Sequence, residues 1–116
     1  MIGGILQHNI GLSYIALFKL QSDKFSNIHV IDKAVLHTDL SFEVRDPENM
    51  LQYWVASCRT LGEALIERSM HEKVPRASED LRRAHEILTA AISKISEIEH
   101  PNQWAQVQEQ MARCSA

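Results

Sequence analysis

A chain of 116 residues has room for one domain, and a chain of that size buries roughly two-thirds of its unfolded surface. With 45% hydrophobic residues, 23% charged residues, four glycines and three prolines, its composition excludes low complexity and disorder. A net charge of -3 argues against a nucleic-acid surface, and Cys58 and Cys114 lie in no paired or Cys/His pattern that would suggest disulfides or zinc, so reduced thiols in a cytoplasmic protein are expected.

The first predicted helix runs from about Ile5 to Lys19. The stretch from Ile2 to Leu20 is apolar, but Gln7, His8 and Asn9 interrupt it. The remainder, Ile10 to Leu20, falls short of the roughly twenty residues a bilayer needs. No basic segment precedes it and no small-residue cleavage pattern follows, so it reads as a buried helix and neither a signal nor an anchor.

After a loop at residues 21–27, a second helix is expected from about Ile28 to Val44, stopping before Pro47. Asp46 followed by Pro47 reads as an acidic cap and a proline at the first helical position, opening a third helix from about Glu48 to Met70. A loop at residues 71–77 follows.

The fourth helix carries the clearest stripe. Leu81, Ala84, Leu88, Ala91, Ile92, Ile95 and Ile98 step by three and four, while Arg82, Arg83, Glu86, Thr89, Ser93 and Glu97 take the other side. Ser78 is its expected N-cap, with Glu79 and Asp80 at the positive end of the dipole. The basic residues Lys73, Arg76, Arg82 and Arg83 read as part of a solvated face, since Glu79 and Asp80 interrupt them. Pro101 ends this helix with His100 as its boundary, and a fifth runs from about Asn102 to Arg113. The short connections between helices predict antiparallel hairpins.

The chain also repeats itself. A shift of fifty residues places Ile31 on Leu81, Ala34 on Ala84, Phe42 on Ile92, Trp54 on Trp104, Leu61 on Met111 and Gly62 on Ala112. One residue more brings Asn9, Ile10 and Gly11 onto Thr60, Leu61 and Gly62. A fixed period of this kind is the signature of a solenoid.

The run Asn9-Ile10-Gly11-Leu12-Ser13-Tyr14 resembles the N-L-G-x-x-Y core of a tetratricopeptide first helix, and Leu61-Gly62 with Leu65 repeats it. Ala84, Leu88 and Ala91 resemble the A-x-x-x-F-x-x-A of that family's second helix, and Ala34, Thr38 and Ser41 hold the equivalent places. Pro101, Trp104 and the L-G pair are similar to bacterial repeats carrying a proline, a tryptophan and then L-G. The standard repeat has about 34 residues, so the longer period resembles a long-helix variant.

The resemblance implies an all-α fold of about five helices. They would form antiparallel hairpins stacked as a short right-handed tetratricopeptide-like solenoid. One domain would span residues 1–116, with repeat 1 over about 3–46, repeat 2 over about 47–100 and a partial repeat 3 over 101–116. The resemblance further implies a non-enzymatic protein-interaction module, a scaffold or adaptor that holds a peptide or partner helix in a concave groove.

Carried over by position, the groove side presents Ile5, His8, Leu12 and Ile15, then Arg59, Glu63 and Ile66, then Gln106, Glu109 and Arg113. The family's carboxylate clamp needs Lys and Asn where this sequence has His8 and Leu12, so a C-terminal peptide carboxylate is not the expected ligand.

The alternative is a small helical-bundle enzyme or ligand or metal sensor with a pocket between helices. It finds little support. His71-Glu72 and His85-Glu86 begin like H-E-x-x-H, but Pro75 and Thr89 occupy the second histidine position. Glu97 and His100 have E-x-x-H spacing, yet a di-iron site needs a second copy and two further glutamates. Cys58 reads as structural, and Gly3-Gly4 follows no strand that would build a phosphate loop. No catalytic, cofactor or metal residue is therefore expected. The first helix is apolar around most of its circumference and the third hairpin has no second helix, which predicts a homodimer through an end helix or membership of a longer repeat protein.

Overall fold

The computed structural model describes residues 2–20, 28–43, 47–71 and 76–115. Five helices occur in order: α1 (Ile2–Leu20), α2 (Ile28–Ser41), α3 (Leu51–Ser69), α4 (Arg76–Lys94) and α5 (Pro101–Ser115). Among the described residues there is no strand.

Each helix packs on the next in sequence, and in addition α1 touches α3 and α3 touches α5. No packed helix–helix seam joins α2 to α4, or α1 to α5, among the described residues. The helices therefore form two rows, with α1, α3 and α5 in one and α2 and α4 in the other. Long side chains span the second row: Arg76 pairs with Asp32 at 3.2 Å and Arg83 with Asp39 at 2.6 Å.

The position of α3 between four neighbours explains its burial. Val55, Cys58, Leu61, Ala64, Leu65 and Ile66 are all buried on it, and so are the polar Ser57, Thr60, Glu67 and Ser69. Those polar groups find partners, as buried polar groups must. The hydroxyls of Ser57 and Ser41 share a hydrogen bond at 2.9 Å, and Ser69 Oγ donates to the Ile66 carbonyl at 2.6 Å. The α4 stripe buries Ala84, Leu88 and Ala91 on α3 and leaves Arg82 and Glu86 outside as an i,i+4 pair at 2.7 Å.

Two glycines permit the tight crossings within the hairpins. A Cβ on Gly11 would strike the Thr38 hydroxyl and approach the Ala34 carbonyl oxygen of α2 to 3.4 Å. A Cβ on Gly62 would meet Leu88 of α4 at 3.0 Å. Thr38 and Leu88 stand fifty residues apart, so the two hairpins close on equivalent positions. The helix starts match too: the Met50 carbonyl accepts the Trp54 N–H at 2.8 Å, and the His100 carbonyl accepts that of Trp104 at 2.9 Å. Both rings pack partly buried against the core.

Several element boundaries differ from expectation. Helix α4 starts at Arg76, which places Ser78 inside the first turn and leaves Glu79, not a serine cap, to meet the dipole. It ends at Lys94, well before Pro101. There Ser96 takes over the backbone: its Oγ accepts the Glu99 N–H at 3.0 Å and its carbonyl accepts the His100 N–H at 2.9 Å. Ile95 stays buried, but Ile98 falls beyond the helix and is 92% exposed, so it is no part of the core face. Residues 47–49 form a turn and α3 begins at Leu51, three residues after the expected start. Pro101 itself opens α5, where its missing N–H costs nothing. Helix α2 ends at Ser41, and Arg76 and Ala77, expected in the loop at 71–77, open α4; the expected end at Val44, the cap at Asp46, the loop at 21–27 and residues 72–75 lie outside the described residues.

Candidate binding cleft

The row of α1, α3 and α5 encloses a cleft of about 520 Å³. From α1 it is lined by His8, Leu12, Ile15 and Lys19, from α3 by Ala56, Arg59, Thr60 and Glu63, and from α5 by Gln110. Steps of three and four put each set on one face of its helix.

Glu63 is the electrostatic centre. It accepts from Lys19 of α1 at 2.9 Å and from Arg113 of α5 at 2.8 Å. Glu67, one turn on, faces the same two cations at 3.9 and 3.6 Å. Burial works against the Glu63 carboxylate, but the hydrogen bond from Lys19 and the charge of Arg113 outweigh it and hold its pKa below the ordinary glutamate range. The two carboxylates thus tie α1 and α5 to α3.

At the other end His8 Nε2 and Thr60 Oγ1 share a hydrogen bond of 2.7 Å. Gln110 Nε2 donates to the Arg59 carbonyl at 2.9 Å, which seats α5 on α3. Between them lies Arg59, half-buried. Burial pulls its pKa below the ordinary arginine range against the opposing charge of Glu63, but a guanidinium stays protonated.

Of the sequence-predicted groove residues, the structure brings His8, Leu12, Ile15, Arg59 and Glu63 together in one lining. Arg113 reaches the same place through its pair with Glu63. Ile15 contributes from a nearly buried position, whereas Ile66 is turned into the core at 2% exposure and presents nothing to a partner. Three residues beyond Glu63, Ile66 lies about 60° around α3 from it, at the edge of the lining face. Gln106 and Glu109 are exposed on α5 outside the cleft lining. Sequence reasoning missed Lys19, Ala56, Thr60 and Gln110. The signal for Lys19 was present, since it continues the series 8, 12, 15 by four residues.

Cys58 is fully buried and burial pushes its thiol up to about 12, so a thiolate nucleophile has no support there. Among the described residues no group of three His, Cys, Asp or Glu side chains is placed to hold a metal ion. No helix of the described residues is long and apolar enough to cross a membrane. In comparisons with protein-family models, curated proteins and solved structures, the chain finds no match.

Proposed function

We propose that this chain is a non-enzymatic protein-interaction module, a short tetratricopeptide-like solenoid that holds a peptide or partner helix in the cleft formed by α1, α3 and α5. The observation that carries this reading is the cleft itself: alternate helices line one open face, with an apolar wall of Leu12, Ile15 and Ala56 beside polar groups. The pairwise packing order and the two glycine crossings, at positions related by the repeat, support the solenoid arrangement. The enzyme alternative has no comparable feature in its favour.

The test is selection of displayed peptides against the full chain, followed by competition on Ala56→Trp, which fills the cleft. Selected peptides are expected to lose binding to this variant while its helical circular dichroism is kept. Peptides that bind Ala56→Trp as tightly as the parent overturn the reading.

A second surface supports self-association. Leu6, Ile10, Ser13, Leu17 and Leu20 follow a strict four-three-four-three spacing along α1, with Leu6, Leu17 and Leu20 exposed. That is the seam period by which a helix accepts a second copy of itself, and the one charged residue of α1, Lys19, faces Glu63 instead. The occupant we assign is a second copy of this chain. Sedimentation velocity should show a dimer that Leu17→Lys converts to monomer; a monomeric parent at high concentration removes the assignment.

A further inference from the structure

Arg59 is the cation of the cleft that the fold leaves unengaged. Its Nε is buried without a hydrogen-bond partner, and among the described residues Arg59 forms no ion pair. Lys19 and Arg113, by contrast, are committed to Glu63 and Glu67. Leaving a buried donor unpaired is unfavourable, so the position is maintained against its own energetics. Glu63 stands one turn away, but its two oxygens already accept from Lys19 and Arg113.

Gln110 presents the complementary vacancy. Its amide nitrogen is used on the Arg59 carbonyl, while its Oε1 is buried with no partner. The cleft lining thus holds an unspent planar cation and, in Gln110, a buried acceptor without a partner. Next to them lie Leu12, 44% exposed, Ile15 and Ala56.

We propose, on the premise that the cleft holds a partner segment, that Arg59 anchors an aspartate or glutamate side chain of that segment, flanked by a large apolar residue that packs on Leu12 and Ala56. A guanidinium fork matches a carboxylate in two parallel N–H···O bonds. Charge balance favours a monoanion: three cations meet two carboxylates at the cleft, leaving an excess of one in a chain whose net charge is -3. A phosphoryl group, with its second charge, would find a single free cation. Arg59 sits in the middle of α3, so the segment continues past it in both directions, which selects an internal acidic residue over a chain terminus.

The experiment uses two display libraries that differ only in a fixed central residue, glutamate or glutamine, selected against the full chain. A soluble amidated peptide of the selected sequence then serves as the probe. The glutamate library is expected to yield binders that lose affinity about tenfold on Glu→Gln in the peptide, or on Arg59→Met in the protein. The two changes together should cost no more than either alone, the mark of a direct pair. Helical circular dichroism and retained binding of apolar selected peptides show that Arg59→Met is folded. Binders that need an empty cleft by the Ala56→Trp criterion, yet show no acidic preference and ignore Arg59→Met, overturn this inference and leave the cleft reading standing. Binders indifferent to Ala56→Trp overturn both. A peptide that binds better with its carboxylate only at the C-terminus overturns the assignment to a side chain.

Discussion

One methyl group at position 11 would be pressed against the Thr38 hydroxyl, with the Ala34 carbonyl behind it. Gly11→Ala returns about 1 kcal/mol of helix propensity, but overpacking of this kind costs about 1–3 kcal/mol. The variant is expected to be destabilised in urea titrations, and Thr38→Ala in the same chain should recover much of the loss. The Thr38 hydroxyl is itself buried without a partner, so its removal leaves no broken hydrogen bond. Independent, additive effects would show that the two residues do not share the crossing. Both glycines were legible in the sequence because nothing larger fits where helix backbones approach, so the requirement is written in the residue type itself. Ile66 was misread for the opposite reason. An isoleucine on α3 satisfies the spacing of either face, and only the neighbours of α3 decide which is covered.

At the scale of elements, one ionic clasp ties α2, α3 and α4 together. Arg68 of α3 donates to both Asp80 oxygens, from Nε and one terminal nitrogen, each at 2.8 Å, and to Asp32 of α2 at 3.0 Å from the other. Asp80 is buried, so Arg68→Ala is expected to cost about 3 kcal/mol, the penalty of stripping a buried carboxylate of its cation. The double variant Arg68→Met with Asp80→Leu should be closer to wild type than Arg68→Ala alone. Equal stability of the double and single variants in thermal unfolding would count against the buried-charge account. No sequence rule exposes this clasp, because its members are 12 and 36 residues apart and meet only once three helices are in place. The same limit explains the helix ends. Asp80 reads as a dipole residue by position, yet its carboxylate is spent on Arg68.

For the molecule as a whole, acid should loosen the row of α1, α3 and α5. Because the folded-state pKa of Glu63 lies below its ordinary value of 4.5, its contribution is fully present above that value. It is lost as pH falls through the depressed folded value. Glu63→Gln should therefore melt below the parent at pH 7, and the gap should close as the pH is lowered past 4.5 toward full protonation. A gap that stays constant across that range would mean that Glu63 acts by packing and not by charge. The all-helical architecture was readable from periodicity and proline placement, and half of the cleft from helical spacing on α1 and α3. On α5 the spacing found Arg113 but not Gln110, since which face of α5 turns inward depends on Gln110 reaching the Arg59 carbonyl.

The ion pairs Lys19–Glu63, Asp32–Arg76 and Asp39–Arg83 share one separation of 44 residues, and each links a helix to the next but one. All three are partly exposed charges laid over an apolar core that the hairpins share. At 0.15 M salt the screening length is about 8 Å, and at 1 M about 3 Å, so dissolved ions weaken these three pairs while the shared core stays intact. Lys19–Glu63 alone of the three stands at the cleft, so a segment held there would be gripped more firmly in dilute buffer than in brine.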